Sequence, residues 1–346
     1  MSLENEYGFD WPKTFDEEKH RAFLVKQERK RTHQLVKWGR LDGNYRKCKQ
    51  LKKLVRKGIP KEYRCDVWMS LSGASILKRD NEGLFAKLTA RHPDNKSYVE
   101  ISNAYGEEQL DIICRDLPRT FPENPLLKDP VLYNHMQDVL LAYCLHKPEM
   151  GYCQGLNYIA AALLLATRQP DTGPVSGCIT GWQPENCFWL LIALVDLIPD
   201  YYSRSMSHLN SDCLILERLA KKTVPKTMQS VNQFSIPIQV FVTKWFVCLF
   251  VDILPFHTLL HVWDTLFYEG YKILFRVAVY QFVLHKQELK DMADPSQLAL
   301  FFRELFWDPS AWDSYEYMKS VFRKSGGMSR EYIESKRNDV IAKDGS

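Results

Sequence analysis

The sequence predicts an all-α fold, because apolar residues recur at helical spacing in most segments and no group of candidate strands accompanies them. Between Glu108 and Leu117 the apolar residues occupy positions i, i+3, i+4 and i+7 of one helical face. The stretch from Leu156 to Thr167 is almost entirely apolar, which is typical of a helix buried on all sides. Residues 240–250 are rich in β-branched and aromatic side chains that would also suit a strand. Without neighbouring strands to pair with, we predict a helix there too.

The same periodicity predicts further helices at residues 132–143, 188–198, 213–220, 259–267 and 273–284. Glycine and proline separate these helices. Gly58-Ile59-Pro60 opens a new segment, and the glycine- and proline-rich residues 168–184 predict a surface loop. The tail at residues 324–346 has little apolar content, so we predict that it is disordered.

Composition is typical of a globular protein with a large core, since 45% of the 346 residues are hydrophobic and 25% are charged. The acidic first residues have no apolar stretch behind them, so we predict no signal peptide. The longest apolar runs fall far short of the roughly 20 residues that cross a bilayer. The nine cysteines are odd in number and include no Cys-x-x-Cys pair, a pattern typical of free thiols in a reducing compartment. These observations predict a cytoplasmic protein.

Positive charge is concentrated near the start of the sequence. Residues 19–64 contain 17 lysines and arginines against Glu28, Asp42 and Glu62, a local net charge of +14 in a chain whose net charge is +4. Such a block can contact phosphate groups, either on nucleic acid or on an anionic membrane. Apolar residues interrupt the charges throughout, so the block can equally be the solvated face of helices.

The common signatures of nucleotide binding and hydrolysis are missing from the sequence. It has no Gly-x-x-x-x-Gly-Lys-Ser/Thr loop, Gly-x-Gly-x-x-Gly, Gly-x-Ser-x-Gly or His-Glu-x-x-His motif. His257, His261 and Asp264 would share one helical face and could together hold a cation. Leu260 and Trp263 indicate a helix that faces the core, however, which favours hydrogen-bonded structural histidines over a metal site.

The first of two informative segments spans residues 113–122. A residue that precedes proline is pushed out of the α region, so Pro118 ends the preceding helix. Arg119 then stands on a loop that Pro118 and Pro122 stiffen, with Asp116 close enough to orient its guanidinium.

The second segment spans residues 151–157, in which Gln154 stands between two glycines at the start of the buried helix. A glutamine there could cap the helix, but Ser, Thr, Asp and Asn cap better, and the glycines let another backbone approach closely. From periodicity alone, an exposed arginine loop is more often a salt-bridge participant than a catalyst.

Together these segments resemble the signature motifs of the TBC domain, the catalytic module of GTPase activators for Rab proteins. The matches to Arg-x-x-x-Trp, Ile-x-x-Asp-x-x-Arg and Tyr-x-Gln are Arg64 to Trp68, Ile113 to Arg119, and Tyr152 to Gln154. The resemblance covers about residues 58–270. The segments Tyr7-Gly8-Phe9, 55–58 and 199–203 are similar to those of the small, single-domain growth-hormone-regulated TBC subgroup.

The resemblance implies a two-lobed helical domain with a helical N-terminal extension. The regions it implies are a basic extension at 1–57, a Rab-GAP TBC domain at 58–270, C-terminal helices that complete the second lobe at 271–323, and the tail at 324–346.

The resemblance also implies that the chain activates a GTP-bound Rab protein. Arg119 would enter the partner's active site as an arginine finger, and Gln154 would orient the attacking water. The supporting residues would be Asp116, which would hold the arginine, together with Tyr152, Arg64 and Trp68, of which the last two would build the lobe. The chain would bind no cofactor, because the GTPase carries the GTP and the magnesium, and it would turn over no substrate alone.

Two alternatives stay open at this point. One is a non-catalytic scaffold that only binds Rab proteins, although a pure binder needs neither Arg119 nor Gln154. The other is a peripheral adaptor that contacts anionic endomembranes through the basic residues 19–64, which could coexist with GTPase activation. No aromatic-interleaved motif supports a specific nucleic-acid partner.

Overall fold

The computed structural model describes residues 6–10, 17–41, 43, 45–91, 104–169, 181–198, 200–203 and 205–344. These residues form α-helices and short 3-10 turns and include no β-strand, which confirms the all-α prediction. The helices are α1 (Glu17–Trp38), α2 (Lys49–Val55), α3 (Lys61–Ser72), α4 (Ala74–Asp80), α5 (Leu84–Leu88), α6 (Ala104–Asp116), α7 (Pro130–His146), α8 (Leu156–Thr167), α9 (Pro184–Leu197), α10 (Ser207–Thr223), α11 (Pro225–Asn232), α12 (Gln239–Val247), α13 (Phe256–Glu269), α14 (Lys272–Leu284), α15 (Lys286–Asp291), α16 (Pro295–Glu304), α17 (Ser314–Lys324) and α18 (Arg330–Asp344).

Each helix predicted from periodicity is present. The predicted segments correspond to α6, α7, α8, α9, α10, α12, α13 and α14. Helix α8 has the predicted bounds, and eleven of its twelve residues are buried. Other bounds differ by several residues because apolar periodicity marks the packed face and not the caps. Asp129, for example, accepts a hydrogen bond from the Val131 amide at 2.8 Å and so starts α7 earlier than its apolar face does.

The ambiguous stretch at residues 240–250 is helical only in its first part. Helix α12 ends at Val247, and Leu249 and Phe250 have positive φ angles of 49° and 66°. Those conformations cannot continue a right-handed helix. The chain turns there, which no periodic pattern in this apolar stretch indicates.

The predicted disorder of residues 324–346 is wrong for most of that segment, because α18 occupies it. Ile333 and Val340 are 0% and 2% exposed. The fully buried guanidinium of Arg337 donates hydrogen bonds to both carboxylate oxygens of Asp212, at 2.7 and 2.6 Å. Composition did not reveal this helix, because its described buried side chains are Ile333, Arg337 and Val340 only, in a sequence that is mostly polar.

The chain divides into two compact units, in agreement with the two lobes that were predicted. The first comprises residues 1–51 and 59–196, and the second comprises residues 52–58 and 197–346. In the first unit α8 packs against α3 and α7, and α7 also contacts α6. In the second unit α10 contacts α12, α14 and α18, while α13 packs against α14 and α17. The domain boundaries proposed at 57, 270 and 323 stay predictions.

The basic segment forms α1 and α2, and one face of α1 is packed. Trp38 is 1% exposed, and its ring stacks on Tyr63 with centroids 6.3 Å apart. Arg31 forms ion pairs with Glu28 and Glu62. Part of the positive charge of this segment is therefore used in ion pairs within the first unit. Membrane contact by the exposed charges stays a prediction.

Several sequence predictions fall outside the described residues. These are Cys178, the loop residues 170–180, Pro199 of the subgroup motif, and residues 345–346. The eight cysteines of the described segments are all free thiols. Over the same segments, none of the helices combines the length and the apolar character that a membrane span requires.

Candidate functional site

Arg119 ends a short 3-10 turn, Leu117–Arg119, that follows directly from α6. The change from α-helix to 3-10 turn comes at Leu117, the residue before Pro118, as the proline rule predicts. The Nη2 atom of Arg119 donates a hydrogen bond to Oδ1 of Asp116 at 2.5 Å. The Arg119 side chain is 55% exposed and the Asp116 side chain only 7%. A buried carboxylate therefore holds an exposed guanidinium.

Gln154 lies in the turn that leads into α8 and is exposed. The flanking Gly151 and Gly155 have φ angles of +66° and +113°, which side-chain-bearing residues rarely adopt. A Cβ atom at position 151 would lie 3.2 Å from Oε1 of Gln109, and that oxygen accepts a hydrogen bond from the Tyr152 amide at 2.7 Å. The glycines therefore shape this turn and let it pack closely on α6.

The arginine turn and the glutamine turn are joined by side-chain hydrogen bonds. The Tyr152 hydroxyl donates to Oδ2 of Asp116 at 2.7 Å, so the carboxylate that holds the arginine also binds the glutamine turn. Asn157 donates through Nδ2 to Oγ1 of Thr120 at 2.7 Å, and its Oδ1 accepts from the Gly155 amide at 3.0 Å. The exposed arginine and the exposed amide therefore stand on neighbouring, tethered turns.

The chain that follows Arg119 is strained. Phe121 has a φ angle of +48°, an uncommon conformation for a bulky residue that costs about 1–3 kcal/mol. Its ring makes edge-to-face contacts with Phe9 and Tyr158, at centroid distances of 4.9 and 5.1 Å. The Tyr158 hydroxyl also donates to the Arg119 carbonyl oxygen at 3.3 Å. Aromatic packing thus holds the backbone of the arginine turn in one conformation.

Arg64 and Trp68 lie in the core of the first unit. Arg64 is 8% exposed and donates to the Ile59 carbonyl oxygen at 2.6 Å and to the Tyr7 hydroxyl at 3.3 Å. Trp68 is fully buried, with its ring 5.9 Å from the Arg64 guanidinium. Buried in this way, neither side chain is available to a phosphate group on another molecule.

The segment Tyr7-Gly8-Phe9 packs beneath the arginine turn. Asn124 donates to the Tyr7 carbonyl oxygen at 2.9 Å, and Phe9 contacts the ring of Phe121. Gly8 has a φ angle of +76°, and a Cβ atom there would lie 2.4 Å from Oδ1 of Asn124. Only glycine permits this close approach. The segment that suggested a subgroup therefore has a structural role next to the candidate site.

Sequence reasoning did not single out Asn157 or Gln109, although both organise the glutamine turn. The sequence does contain a signal for Asn157, because it is a polar residue in a nearly all-apolar helix. Its side chain is 1% exposed in the structure, and a buried polar group of this kind is expected to form hydrogen bonds. Gln109 had no comparable signal, because an amide on an amphipathic helix is ordinarily solvated.

The protonation states suit this arrangement. Burial, together with the hydrogen bond to Asp116 and its charge, raises the pKa of Tyr152 well above its ordinary value. The phenol therefore stays protonated and remains a donor to the carboxylate at neutral pH. Burial also raises the pKa of the neighbouring Cys153 thiol.

His257, His261 and Asp264 lie on α13, where His261 and Asp264 are buried. His261 is 3% exposed, with Nε2 3.2 Å from the Arg56 carbonyl oxygen and its ring against Tyr315 at 5.5 Å. Among the described residues, no group of three or more His, Cys, Asp or Glu side chains could hold a metal ion. The structure therefore lends no support to the metal interpretation.

The chain that carries these two turns is similar to known proteins. The family model of the Rab-GTPase-TBC domain matches residues 61–290, and this chain therefore belongs to that family of Rab GTPase-activating domains. The matched range includes all six of the residues predicted from the motifs.

Among curated proteins, the chain is 34% identical to growth hormone-regulated TBC protein 1 of Xenopus laevis, over 96% of this chain and 92% of the relative. It is 33% identical to the protein of that name from Homo sapiens, over 97% of this chain and 94% of the relative. The mouse protein carabin is 32% identical over 68% of this chain and 47% of its own length.

Two solved structures share the fold. The Chlamydomonas flagellar RabGAP TBC domain has a TM-score of 0.72 and 26% identity, over 94% of this chain and 100% of that one. The Ypt/Rab-GAP domain of Gyp1p has a TM-score of 0.70 over 85% of this chain and 98% of that one, and at 20% identity it shows the fold alone.

We expect Tyr152→Phe to destabilise the first unit by about 1.5–3 kcal/mol, because a hydrogen bond to a charged group is lost while the ring is kept. Urea denaturation of the purified chain measures this loss. Tyr158→Phe is the matched control. Its hydroxyl donates at 3.3 Å to a neutral carbonyl, so a smaller loss, about 0.5–1.5 kcal/mol, is expected. Equal losses in the two variants would contradict a special role for the bond to Asp116.

Proposed function

We propose that this chain accelerates GTP hydrolysis by a GTP-bound Rab protein, supplying Arg119 and Gln154 to the partner's active site. The observation that carries the proposal is the exposed guanidinium and the exposed amide on two turns that share the Asp116 carboxylate. Family membership supports the class of activity, and the motif matches support the choice of residues.

Arg119 would stabilise the charge that develops during phosphoryl transfer. Hydrolysis in a small GTPase is slow because negative charge accumulates as the γ-phosphoryl group departs and because the attacking water is poorly held. A guanidinium stays charged and offers donors in fixed directions. Asp116 binds one edge of this fork and leaves the remaining donors for phosphate oxygens. Such a finger contributes roughly 10³–10⁵ in rate, or about 4–7 kcal/mol of barrier.

Gln154 would orient the attacking water. A carboxamide both accepts and donates hydrogen bonds, so it positions a water molecule without adding charge. No other described residue forms a hydrogen bond with the Gln154 side chain, so the amide is available to a partner. It would act in place of the glutamine that the GTPase itself carries.

The partner would supply the remaining components of the reaction. GTP and magnesium would arrive with the GTPase, and this chain would contribute residues in trans without turning over a substrate alone. The cysteine pattern supports a cytoplasmic location, the compartment in which we place the activity.

Single-turnover hydrolysis of GTP by a panel of purified Rab proteins, with and without the chain, tests this proposal. We expect at least one Rab protein to release phosphate faster in the presence of the chain. Absence of acceleration across the panel would contradict the proposal. Binding without acceleration would favour the non-catalytic scaffold.

Gln154→Ala should lower the hydrolysis rate of a responsive Rab protein by on the order of 10²-fold, because the attacking water loses an orienting group. Complex formation should persist, since one exposed amide contributes little to docking. Capture of a Rab protein trapped with aluminium fluoride measures the binding. Gln50→Ala, an exposed glutamine of α2, is the control and should leave the rate unchanged. A native rate for Gln154→Ala would remove the residue from this role.

Peripheral contact with anionic endomembranes is a second proposal, supported by the outer face of α1. Arg21, Val25 and Arg29 follow one another at helical spacing, and all three are exposed. Val25 and Val36 are 49% and 57% exposed. A helix face with basic and aliphatic side chains suits an anionic lipid surface. Co-sedimentation with phosphatidylserine vesicles tests this contact.

A further inference from the structure

A cleft of about 670 Å³ lies in the second unit, where α15 and α16 meet the 3-10 turn Leu305–Trp307. Neither finger contributes to it. Helix α16 lines the cleft with side chains at positions i, i+3, i+4 and i+7, namely Gln297, Leu300, Phe301 and Glu304. On its other face, Leu298 and Phe302 are 0% and 6% exposed. One side of α16 therefore packs into the unit and the other is turned to the cleft.

The walls of the cleft expose large apolar side chains. Trp307 is 47% exposed and Leu300 is 43% exposed. The other seven tryptophans within the described segments are at most 4% exposed, so Trp307 departs from the behaviour of its residue type in this chain. Phe301 and Met292 extend the apolar surface. Tryptophan is enriched among the residues that dominate binding at protein interfaces, and exposed apolar patches mark interaction sites.

The rim of the cleft is acidic. Glu288 and Asp291 stand on the α15 side and Glu304 and Asp308 on the other, while the twelve lining residues include no lysine or arginine. The side chains of Glu288 and Glu304 are 58% and 57% exposed. Arg303 approaches Glu304 at 3.4 Å, but this pair is highly exposed and contributes little.

His285 neutralises only part of this charge. Its Nδ1 lies 3.1 Å from Glu288 and its Nε2 lies 3.1 Å from Asp308. Burial lowers the pKa of His285, but the hydrogen bonds and charges of the two carboxylates outweigh it and raise the pKa overall. Even when His285 is protonated, one imidazolium faces four carboxylates, so the cleft keeps a negative charge.

We propose that this cleft docks a short segment of another protein in which a large apolar side chain stands beside a lysine or arginine. The apolar side chain packs between Leu300 and Trp307, and the cation faces Glu288 and Glu304. The volume is that of a site for a few side chains and not for a folded domain. An anionic membrane does not fit, because the acidic rim repels its headgroups. The inference does not depend on the fingers.

Fluorescence anisotropy with the full chain and labelled synthetic peptides tests this proposal. The probe is a short peptide with leucines and lysines at helical spacing. Two matched peptides replace the lysines with glutamates or the leucines with alanines. We expect only the first to bind, and we expect added salt to weaken it, because charge pairs at the exposed rim are screened. Failure of this peptide to bind, or equal binding by the glutamate peptide, would overturn the proposal.

Variants of the chain locate the binding. Trp307→Ala should weaken binding about ten- to thirtyfold, the loss typical of an interface tryptophan. Glu304→Lys should weaken it too and should reduce its dependence on salt. The controls are Val240→Ala, at a side chain that is 68% exposed, and Glu316→Lys, at one that is 54% exposed. Both should bind as the native chain does. Native affinity in Trp307→Ala and in Glu304→Lys would show that the peptide binds elsewhere and would refute the docking site.

Discussion

Arg119→Ala should lower the single-turnover hydrolysis rate of a responsive Rab protein by about 10³–10⁵-fold, the contribution of an arginine finger supplied in trans. The rate falls because the variant loses the exposed, positively charged guanidinium that Asp116 orients. Arg119→Lys should fail almost as badly. A lysine keeps the charge but loses the planar fork that can bind a carboxylate on one edge and phosphate oxygens on the other.

Arg115→Ala provides a matched control for this prediction. Arg115 stands one helical turn earlier on α6, its side chain is 72% exposed, and it pairs with Asp111. It does not contact the shared carboxylate, so its loss should leave the rate near that of the native chain. Near-normal hydrolysis with Arg119→Ala would remove Arg119 from its proposed role, and an equal loss with Arg115→Ala would indicate a general effect of positive charge.

Arg337→Ala should destabilise the second unit by about 3–5 kcal/mol, the usual effect of breaking a buried ion pair by removing one partner. Asp212 is fully buried and would lose both hydrogen bonds that the guanidinium donates. Only the Tyr201 hydroxyl would still donate to it among the hydrogen bonds described for this carboxylate. Urea denaturation of the purified chain at neutral pH measures the loss.

The pH dependence of this loss has a defined sign. Burial raises the pKa of Asp212, although Arg337 and Tyr201 oppose that shift. Without Arg337, the pKa of Asp212 in the folded state rises further above its unfolded value. At pH values above that folded-state pKa, Asp212 is ionised and the variant shows its full loss of stability. The penalty is relieved as the pH falls and the carboxyl group gains a proton. The difference in stability between the native chain and Arg337→Ala should therefore shrink on acidification.

Lys336→Ala is the control for Arg337→Ala, because it removes a cation from the adjacent position of α18. Lys336 pairs with Asp339 at 2.6 Å on the exposed side of the helix, where ion pairs contribute little. Its removal should leave the denaturation midpoint unchanged. A double variant, Arg337→Met with Asp212→Leu, should recover much of the loss, since apolar pairs often replace buried ion pairs. A native midpoint in Arg337→Ala would contradict the importance of this pair.

Much of the fold could be predicted from local patterns in the sequence. Helix α8 was predicted to the residue, because an apolar run with glycine before it specifies both burial and a start. The turn after α12 and the whole of α18 were not predicted. In the first case positive φ angles at Leu249 and Phe250 end a helix whose composition would let it continue. In the second, the decisive contact joins two residues that are 125 positions apart.

In the candidate site, too, some features were predicted from the sequence and others required the structure. Arg119 and Gln154 were identified by motif, since residue type and spacing are properties of the chain itself. The sharing of Asp116 between the arginine and Tyr152, the bridge through Asn157, and the aromatic support from Phe9 required the folded structure. Each of these contacts joins segments that are well separated along the chain.

By itself, then, the sequence determined the helical class, eight of the eighteen described helices and the pair of residues proposed for catalysis, because periodicity, proline and motif spacing act over a few residues. Only the tertiary structure decided that Tyr152 shares the carboxylate that holds Arg119, that a polar tail forms a docked helix, and that Trp307 stays at the surface beside acidic side chains. These features depend on burial and on pairing between distant segments, and both arise only when the chain has packed.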